Sequence, residues 1–240
     1  NHTGINSQGH RNIDLFWRTP AVKLTALFSP EHGLEGILDQ TDIGKTVDAA
    51  TGVTVHSLYQ SNNRRPRAEV LKDLDVLVFD IQDIGARFYT YLTTMAYAIE
   101  EAAKHKLPFY VLDRPNPITG CLVEGPVLDN AYRSFIGYFR VPVRHGMTAG
   151  ELALFFNSES GIGADLTVVK MEGWQRETWF DVTALPWVNP SPNIRDLTQA
   201  LLYPGIALLE GFQNWSVGRG TATPFQFMGS DWSNGKRLAA

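Results

Sequence analysis

Two residues capable of acid–base chemistry, Glu31 and His32, stand side by side in the stretch FSPEHGLEG (28–36). The stretch follows a hydrophobic run, VKLTALF, and its two glycines allow the chain to turn sharply after a buried strand. Because apolar Phe28 and Leu34 flank Glu31, we expect its carboxyl group to retain a proton and to act as a general acid. A helix cap or an ordinary surface turn is the alternative interpretation.

A second polar cluster lies in DIQDIGARFYTY (80–91), after another hydrophobic run. It brings Gln82, Asp83 and Arg87 to the end of a predicted strand, with Tyr89 or Tyr91 as a side chain that could stack on a ligand. Asp83 is therefore a candidate for a second catalytic carboxyl group. The alternative is an ion pair between Asp83 and Arg87 that stiffens the turn.

The segment DRPNP (113–117) supplies two further candidates, Arg114 and Asn116. Each precedes a proline, which favours extended geometry and fixes the direction of its side chain. Fixed polar side chains suit ligand recognition, although a rigid loop exit would explain the same pattern. Asp80 lies within a hydrophobic run and needs a buried partner, for which Arg114 and Arg87 are the candidates.

Two more motifs contain candidate ligand contacts. In VRHGMTAGE, Thr148 and Glu151 have the spacing of a capping box, which accounts for Glu151 as part of a helix start. His145, just before the cap, is therefore the candidate ligand contact in this motif. In NWSVGRGTATPF, Arg219 stands between glycines; no phosphate-loop or dinucleotide-binding fingerprint accompanies it, so we interpret it as a hook for a carboxylate.

Neither a cofactor nor a metal is predicted. The sequence contains neither the H-E-x-x-H motif nor the Cys-His pattern of a zinc site. It also lacks the G-x-S-x-G motif that carries the nucleophilic serine of many hydrolases. Residue types alone would still permit a metal site, and a metal-dependent hydrolase stays open. The side chains that would supply such a site are His32, Asp80, Asp83, Asp113 and His145.

These motifs need a scaffold, and the hydrophobic pattern predicts one of the α/β class. Apolar runs at 22–28, 53–59, 75–81 and 108–113 predict strands, and a helical pattern covers 89–106. Two of the runs are near-continuously hydrophobic, which is typical of parallel strands covered on both faces. The ends of three of these runs carry the polar clusters described above, so we expect the clusters to meet at one rim of the sheet. After residue 125 prolines, glycines and aromatic residues become frequent, which suggests a first domain over 1–125 and a second over 126–240. In the second, helices are predicted at 148–158 and 194–203 and a strand at 165–171.

Composition excludes some partners. The formal net charge of −4 argues against nucleic acid, and Cys121 is the single cysteine. No apolar run is long enough for a transmembrane segment and no signal peptide is visible. We therefore expect a small-molecule substrate as the partner.

Taken in order, the motifs resemble those of the NamZ-like exo-β-N-acetylmuramidases. The resemblance covers nearly the whole chain and includes LFSPEHGLEG, VLVFDIQDIGARFYTYLTTM, VLDRPNPITG, PSPNI and SVGRGTATPF. It implies a Rossmann-like domain with helices on both faces of a parallel sheet, joined to a smaller α/β domain that is partly truncated after GSDW. It also implies an enzyme that removes N-acetylmuramic acid from the non-reducing end of peptidoglycan fragments in cell-wall recycling, and that is exported or lipid-anchored.

Within that family the favoured catalytic glutamate is that of the P-E-H-G motif, which matches Glu31. Muramic acid carries a lactyl carboxylate, for which Arg87, Arg114, Arg144 and Arg219 are available donors. A non-catalytic sugar-binding module on the same cleft is the alternative function. Our candidates are Glu31 and Asp83 for catalysis, with substrate-binding roles for His32, Gln82, Arg87, Tyr89, Arg114, Asn116, His145 and Arg219.

Overall fold

The structure is a computed structural model that describes residues 1–239. Its helices and strands alternate along the chain for most of its length. In order they are α1 (Asn12–Arg18), β1 (Leu27–Ser29), β2 (Thr46–Val47), β3 (Thr54–Ser57), α2 (Ala68–Leu71), β4 (Leu77–Phe79), α3 (Tyr91–Lys104), β5 (Phe109–Leu112), α4 (Ala149–Glu159), β6 (Leu166–Val169), α5 (Leu197–Ile206) and α6 (Gly235–Leu238). Short 3₁₀ turns span Asn130–Tyr132, Phe180–Val182 and Ala207–Gly211.

The strands form two hydrogen-bonded sheets of three strands each. One has the order β1-β3-β2, with β1 parallel and β2 antiparallel to β3. The other has the order β4-β5-β6 and is parallel throughout. The predicted α/β class with a parallel sheet and intervening helices is thus confirmed.

The predicted elements exist, although the strands are shorter than the hydrophobic runs that signalled them. The run 22–28, for example, is hydrogen-bonded as a strand only at Leu27–Ser29. Sequence analysis missed α1, α2, α6 and β2, which have too few residues for a periodic signal.

The main core packs α3 and α4 against the second sheet. Met95 and Ile99 of α3 are fully buried, as are Val111 of β5 and Leu152 of α4. The helix α4 begins at the predicted capping box, in which Thr148 accepts from the Glu151 amide and Glu151 accepts from the Thr148 amide. This core draws on residues from both sides of position 125. The proposed domain boundary there stays a prediction.

No helix among residues 1–239 is long and apolar enough to cross a membrane.

Candidate active site

The turn after β1 presents Glu31 and His32 on the rim of the structure. His32 has a left-handed backbone conformation, with φ of 70°, and its ring Nδ1 lies 2.7 Å from the carbonyl oxygen of Leu38. If Nδ1 donates to that carbonyl, Nε2 is left to face a ligand. Gly33 closes the turn by donating its amide to the Pro30 carbonyl oxygen. The backbone therefore holds both side chains in fixed directions.

The carboxyl group of Glu31 is half-buried and is held by its neighbours. Thr90, immediately before α3, donates its hydroxyl to Glu31 Oε2 at 2.5 Å. Burial, together with the negative charge of Glu31, raises the pKa of Tyr59 to about 12. Tyr59 is therefore a neutral phenol next to the carboxyl group at ordinary pH.

Glu31 opens into a cavity of about 230 Å³. The lining comes from the turn after β1, the start of α3 and three segments of the last fifty residues. Its members are Glu31, His32, Asp39, Phe88, Tyr89, Thr90, Ser191, Asn193, Tyr203, Arg219 and Phe225. Four sequence candidates, Glu31, His32, Tyr89 and Arg219, are thus brought together.

Aromatic rings make up one side of this cavity. Tyr203 packs edge-on against Phe225 and against Tyr89, with ring centroids 4.7 and 5.8 Å apart. Tyr89 is only 6% exposed, and its ring packs edge-on against Tyr91 and Tyr203. Its contribution to the cavity is therefore an aromatic wall.

Arg219 provides the positive charge of the cavity. Its guanidinium pairs with Glu210 and lies 5.0 Å from the centre of the Phe225 ring. The hydrogen bonds to Glu210 raise the pKa of Arg219. The pairing occupies Nε and Nη2, so Nη1 remains to donate to an anion.

Asp83 and His145 form a buried pair that does not line the cavity. Asp83 Oδ2 accepts from the Gly85 amide at 2.7 Å and lies 3.4 Å from His145 Nε2. The Met147 amide donates to His145 Nδ1, which places the ring proton on Nε2, facing Asp83. The alternative ion pair between Asp83 and Arg87 is not formed, since Arg87 donates to two backbone carbonyls instead.

The remaining candidates hold loops together. Gln82 donates both hydrogens of its amide to carbonyl oxygens, those of Asp83 and Pro115. Asn116 bridges two backbone groups, with 2.9 Å to the Met147 oxygen and 3.1 Å to the Ile118 nitrogen.

Arg114 is the partner of Asp80, as one of the two sequence alternatives predicted. Its Nε lies 2.8 Å and its Nη2 2.5 Å from Asp80 Oδ1, while Asn12 donates to Asp80 Oδ2. The Arg114 Nη2 also donates to the Ile5 carbonyl oxygen. Arg144 is buried and pairs with Glu124, so neither arginine lines the cavity.

Within the described part of the chain, no group of three or more His, Cys, Asp and Glu side chains is arranged to hold a metal ion. The side chains that could have bound a metal each contact a different part of the protein instead. His32, for example, bonds to a backbone carbonyl, and Asp80 is engaged by Arg114.

Sequence analysis did not single out several lining residues. Asp39 contributes a second carboxylate and accepts from the Asn193 amide at 3.4 Å. Ser191 and Asn193 belong to PSPNI, which figured in the resemblance but was given no role. No spacing rule links residue 39 to residue 193, because only the folded chain brings them together.

These features describe an α/β protein with a small rim cavity that combines carboxylates, an arginine and aromatic rings. Residues 1–198 match the family model for the N-terminal domain of the exo-β-N-acetylmuramidase NamZ, and residues 201–240 match the model for its C-terminal domain. The chain therefore belongs to the NamZ family.

A curated relative and two solved structures agree with this assignment. The chain is 48% identical over 239 residues to the peptidoglycan β-N-acetylmuramidase NamZ of Bacillus subtilis (strain 168), covering 99% of this chain and 57% of that protein. A crystal structure of a DUF1343 family protein from Bacteroides fragilis NCTC 9343 superimposes with a TM-score of 0.91 at 42% identity, covering 100% of this chain and 61% of that one. A second DUF1343 family protein from the same organism gives 0.80 at 38% identity, covering 95% and 60%. The chain thus spans about three fifths of the length of these relatives.

Proposed function

We propose that this protein is a glycoside hydrolase that releases N-acetylmuramic acid from the non-reducing end of peptidoglycan fragments. The observation that carries the proposal is the meeting of Glu31, Asp39 and Arg219 on one small cavity. Membership of the NamZ family, with a relative described as a peptidoglycan β-N-acetylmuramidase, supports the same reaction.

Glu31 is the proposed general acid. Glycoside hydrolysis requires a proton for the leaving oxygen as the bond from that oxygen to the anomeric carbon breaks, followed by attack of water on that carbon. Glu31 is half-buried on the cavity wall, and the Thr90 hydroxyl fixes one of its oxygens. A carboxyl group held in this way can direct its other oxygen at the scissile bond.

Asp39 is the proposed second carboxyl group. The reaction normally uses two, and the sequence suggested Asp83 for the second. Asp83 is 6% exposed, is engaged by Gly85 and His145, and does not line the cavity, whereas Asp39 does. We therefore assign substrate contact to Asp39 and a positioning role to Asp83 in the loop after β4.

This division of roles predicts different outcomes for two matched variants. Asp39→Asn should lower kcat by about 10²-fold or more while leaving the unfolding midpoint unchanged, since it removes an exposed acid–base group. Asp83→Asn should chiefly lower the midpoint in urea, because it weakens a buried pair. Asp73→Asn, at an exposed position, is the control for both. If Asp83→Asn instead lost activity while its unfolding midpoint stayed unchanged, Asp83 would be the second catalytic carboxyl group.

Arg219 is proposed to select the muramic acid residue. Muramic acid differs from glucosamine by a lactyl ether that ends in a carboxylate, and Arg219 is the guanidinium on the cavity lining. Phe225 and Glu210 hold this side chain in place. A pre-positioned arginine suits a carboxylate better than a mobile lysine does.

Replacing Arg219 by Ala should therefore change selectivity. A charge-assisted hydrogen bond contributes about 1.5–3 kcal/mol, so kcat/KM for a muramic acid glycoside should fall by about 10- to 100-fold. The matching N-acetylglucosamine glycoside lacks the carboxylate, and its kcat/KM should fall much less. An equal fall in kcat/KM for both glycosides would show that Arg219 does not recognise the lactyl group.

Exo action is part of the proposal because the matching family model is that of an exo-β-N-acetylmuramidase. The cavity of about 230 Å³ can hold a single sugar. Because such substrates arise at the cell wall, an exported or anchored location and a role in wall recycling form part of the proposal. Time courses with wall oligosaccharides test the mode of cleavage: single sugars should be released from the first minutes, and early internal fragments would contradict it.

A further inference from the structure

The stretch NNRRPR (62–67) contains three arginines whose surroundings differ. Arg65 pairs with two glutamates of α3, and Arg67 lies 3.9 Å from Glu69. Arg64, by contrast, forms no ion pair and donates no hydrogen bond within residues 1–239. It is half-buried, so all the N–H groups of a partly covered guanidinium are still available to an anion.

Aromatic rings hold the Arg64 side chain in place. Its guanidinium carbon lies 4.0 Å from the centre of the Phe135 ring and 5.3 Å from that of Tyr59. Phe135 stands in a tight turn, in which Ser134 and Gly137 exchange two backbone hydrogen bonds. A guanidinium stacked on aromatic rings keeps its edge available, and it loses little freedom when a ligand binds. We call Tyr59, Arg64 and Phe135 the Arg64 platform.

The backbone on each side of Arg64 is also fixed. Before it, the Ser61 amide donates to the Asp42 carboxylate at 2.5 Å. After it, the Arg65 amide donates to the Asn63 side chain at 3.0 Å, and the Arg65 guanidinium anchors the chain to α3. The platform is therefore built into the fold and does not need a ligand in order to form.

The Arg64 platform adjoins Glu31 but does not line the cavity. Strands β1 and β3 are parallel neighbours, with Ser29 opposite Ser57, so Glu31 and Tyr59 follow the strands side by side. Burial raises the pKa of Tyr59, the charge of Glu31 raises it further, and the charge of Arg64 lowers it. Both charged groups thus lie near the Tyr59 phenol, and the order along the rim is cavity, Glu31, Tyr59, Arg64.

This order matches the order of groups along a glycan that is being cleaved. A general acid protonates the oxygen that joins the released sugar to the leaving fragment, so it stands between the two. With the released sugar in the cavity, the leaving fragment extends past Glu31 towards the Arg64 platform. The fragment begins with a neutral N-acetylglucosamine residue, to which Tyr59 offers an aromatic face. It continues with a muramic acid residue, whose carboxylate is suited to a guanidinium.

We propose that the Arg64 platform is a binding subsite for the leaving fragment, in which Arg64 pairs with the carboxylate of the fragment's muramic acid residue. The inference rests on the proposed function for the identity of the substrate. It gives two arginines different tasks: Arg219 binds the carboxylate of the sugar that is released, and Arg64 binds that of the next muramic acid residue along the glycan.

Binding of the leaving fragment tests the subsite without catalysis. The probes are the disaccharide of N-acetylglucosamine linked to N-acetylmuramic acid, and the same disaccharide with its carboxylate converted to a carboxamide. In isothermal titration calorimetry, the unaltered chain should bind the acid about 10-fold more tightly than the amide. Arg64→Ala should abolish that difference. Arg67→Ala, an exposed arginine of the same stretch, is the matched control and should retain it.

Cleavage rates test the same contact during turnover. The trisaccharide with N-acetylmuramic acid at both ends should have a kcat/KM about 10-fold higher than the disaccharide of N-acetylmuramic acid linked to N-acetylglucosamine, which lacks the second carboxylate. Arg64→Ala should bring this ratio to about 1. Arg219→Ala should lower kcat/KM for both substrates and leave their ratio high.

Three results would overturn the proposal: equal binding of acid and amide, or of neither at millimolar concentration; a difference that Arg64→Ala retains; or a difference that only Arg219→Ala removes. If Arg64→Ala lowers Tm, Arg64→Gln, which keeps a longer side chain against Phe135, gives the deciding measurement. Failure of the proposed function looks different, because the chain would then bind the acid through Arg64 but cleave neither substrate. Cleavage of both substrates without the binding difference would contradict the subsite alone.

Discussion

Replacing Glu31 by Gln is expected to lower the turnover of a chromogenic N-acetylmuramic acid glycoside by about 10²- to 10⁴-fold, the range typical for the loss of a general acid. The amide cannot supply the proton that the leaving oxygen needs. It keeps the size of the side chain and an oxygen that can accept from Thr90, so the fold should be unaffected. Initial rates across pH, together with Tm, measure both expectations.

Glu35→Gln is the matched control, since Glu35 lies four residues further on, is exposed and is not on the cavity lining. Its turnover should stay near that of the unaltered chain. A Glu31→Gln protein that still binds the product but does not cleave would agree with the catalytic role. Near-normal cleavage would leave Glu31 as a hydrogen-bonding residue and favour the sugar-binding interpretation.

Replacing Arg114 by Ala should give the largest loss of stability among the site candidates, about 3–5 kcal/mol in the free energy of unfolding. The Asp80 and Arg114 side chains are 13% and 14% exposed, and the change would leave the Asp80 carboxylate buried without its cation. It would also remove the donor to Ile5, which ties the amino-terminal segment to the loop after β5. Urea unfolding at neutral pH measures the effect.

Arg18→Ala, at an exposed position at the end of α1, is the control and should change stability by less than about 0.5 kcal/mol. The double change Asp80→Asn with Arg114→Ala should be less destabilising than Arg114→Ala alone, because no unpaired charge then stays buried. Additive losses in the double variant would show that the two side chains are not coupled.

The fold class could be predicted because two kinds of signal agreed. Apolar runs such as DVLVFDI indicated covered parallel strands, and the pattern leading through Met95 and Ile99 indicated the helix between them. Both residues prove to be fully buried. The capping box of α4 and the pairing of Asp80 with Arg114 also followed from local chemistry, since a buried carboxylate requires a partner.

The cavity could be predicted only in part, for a physical reason. Glu31 and Tyr89 adjoin predicted elements, and their motifs pointed to the rim of the sheet. Asp39 and Asn193 lie in irregular segments 154 positions apart, and their meeting depends on tertiary packing that leaves no local signal. Conversely, Gln82 and Arg87 have the residue types of a site, yet their side chains hydrogen-bond to backbone carbonyls that the sequence could not identify.

The central claim is that the cavity beside Glu31 releases N-acetylmuramic acid from a non-reducing end. The most direct test is incubation of the protein with a defined disaccharide of N-acetylmuramic acid linked to N-acetylglucosamine, followed by identification of the products by mass spectrometry. We predict free N-acetylmuramic acid and N-acetylglucosamine in equal amounts, with no release from the disaccharide in which the order of the two sugars is reversed. Cleavage of the reversed disaccharide alone, or a disaccharide that is bound but stays intact, would contradict the claim.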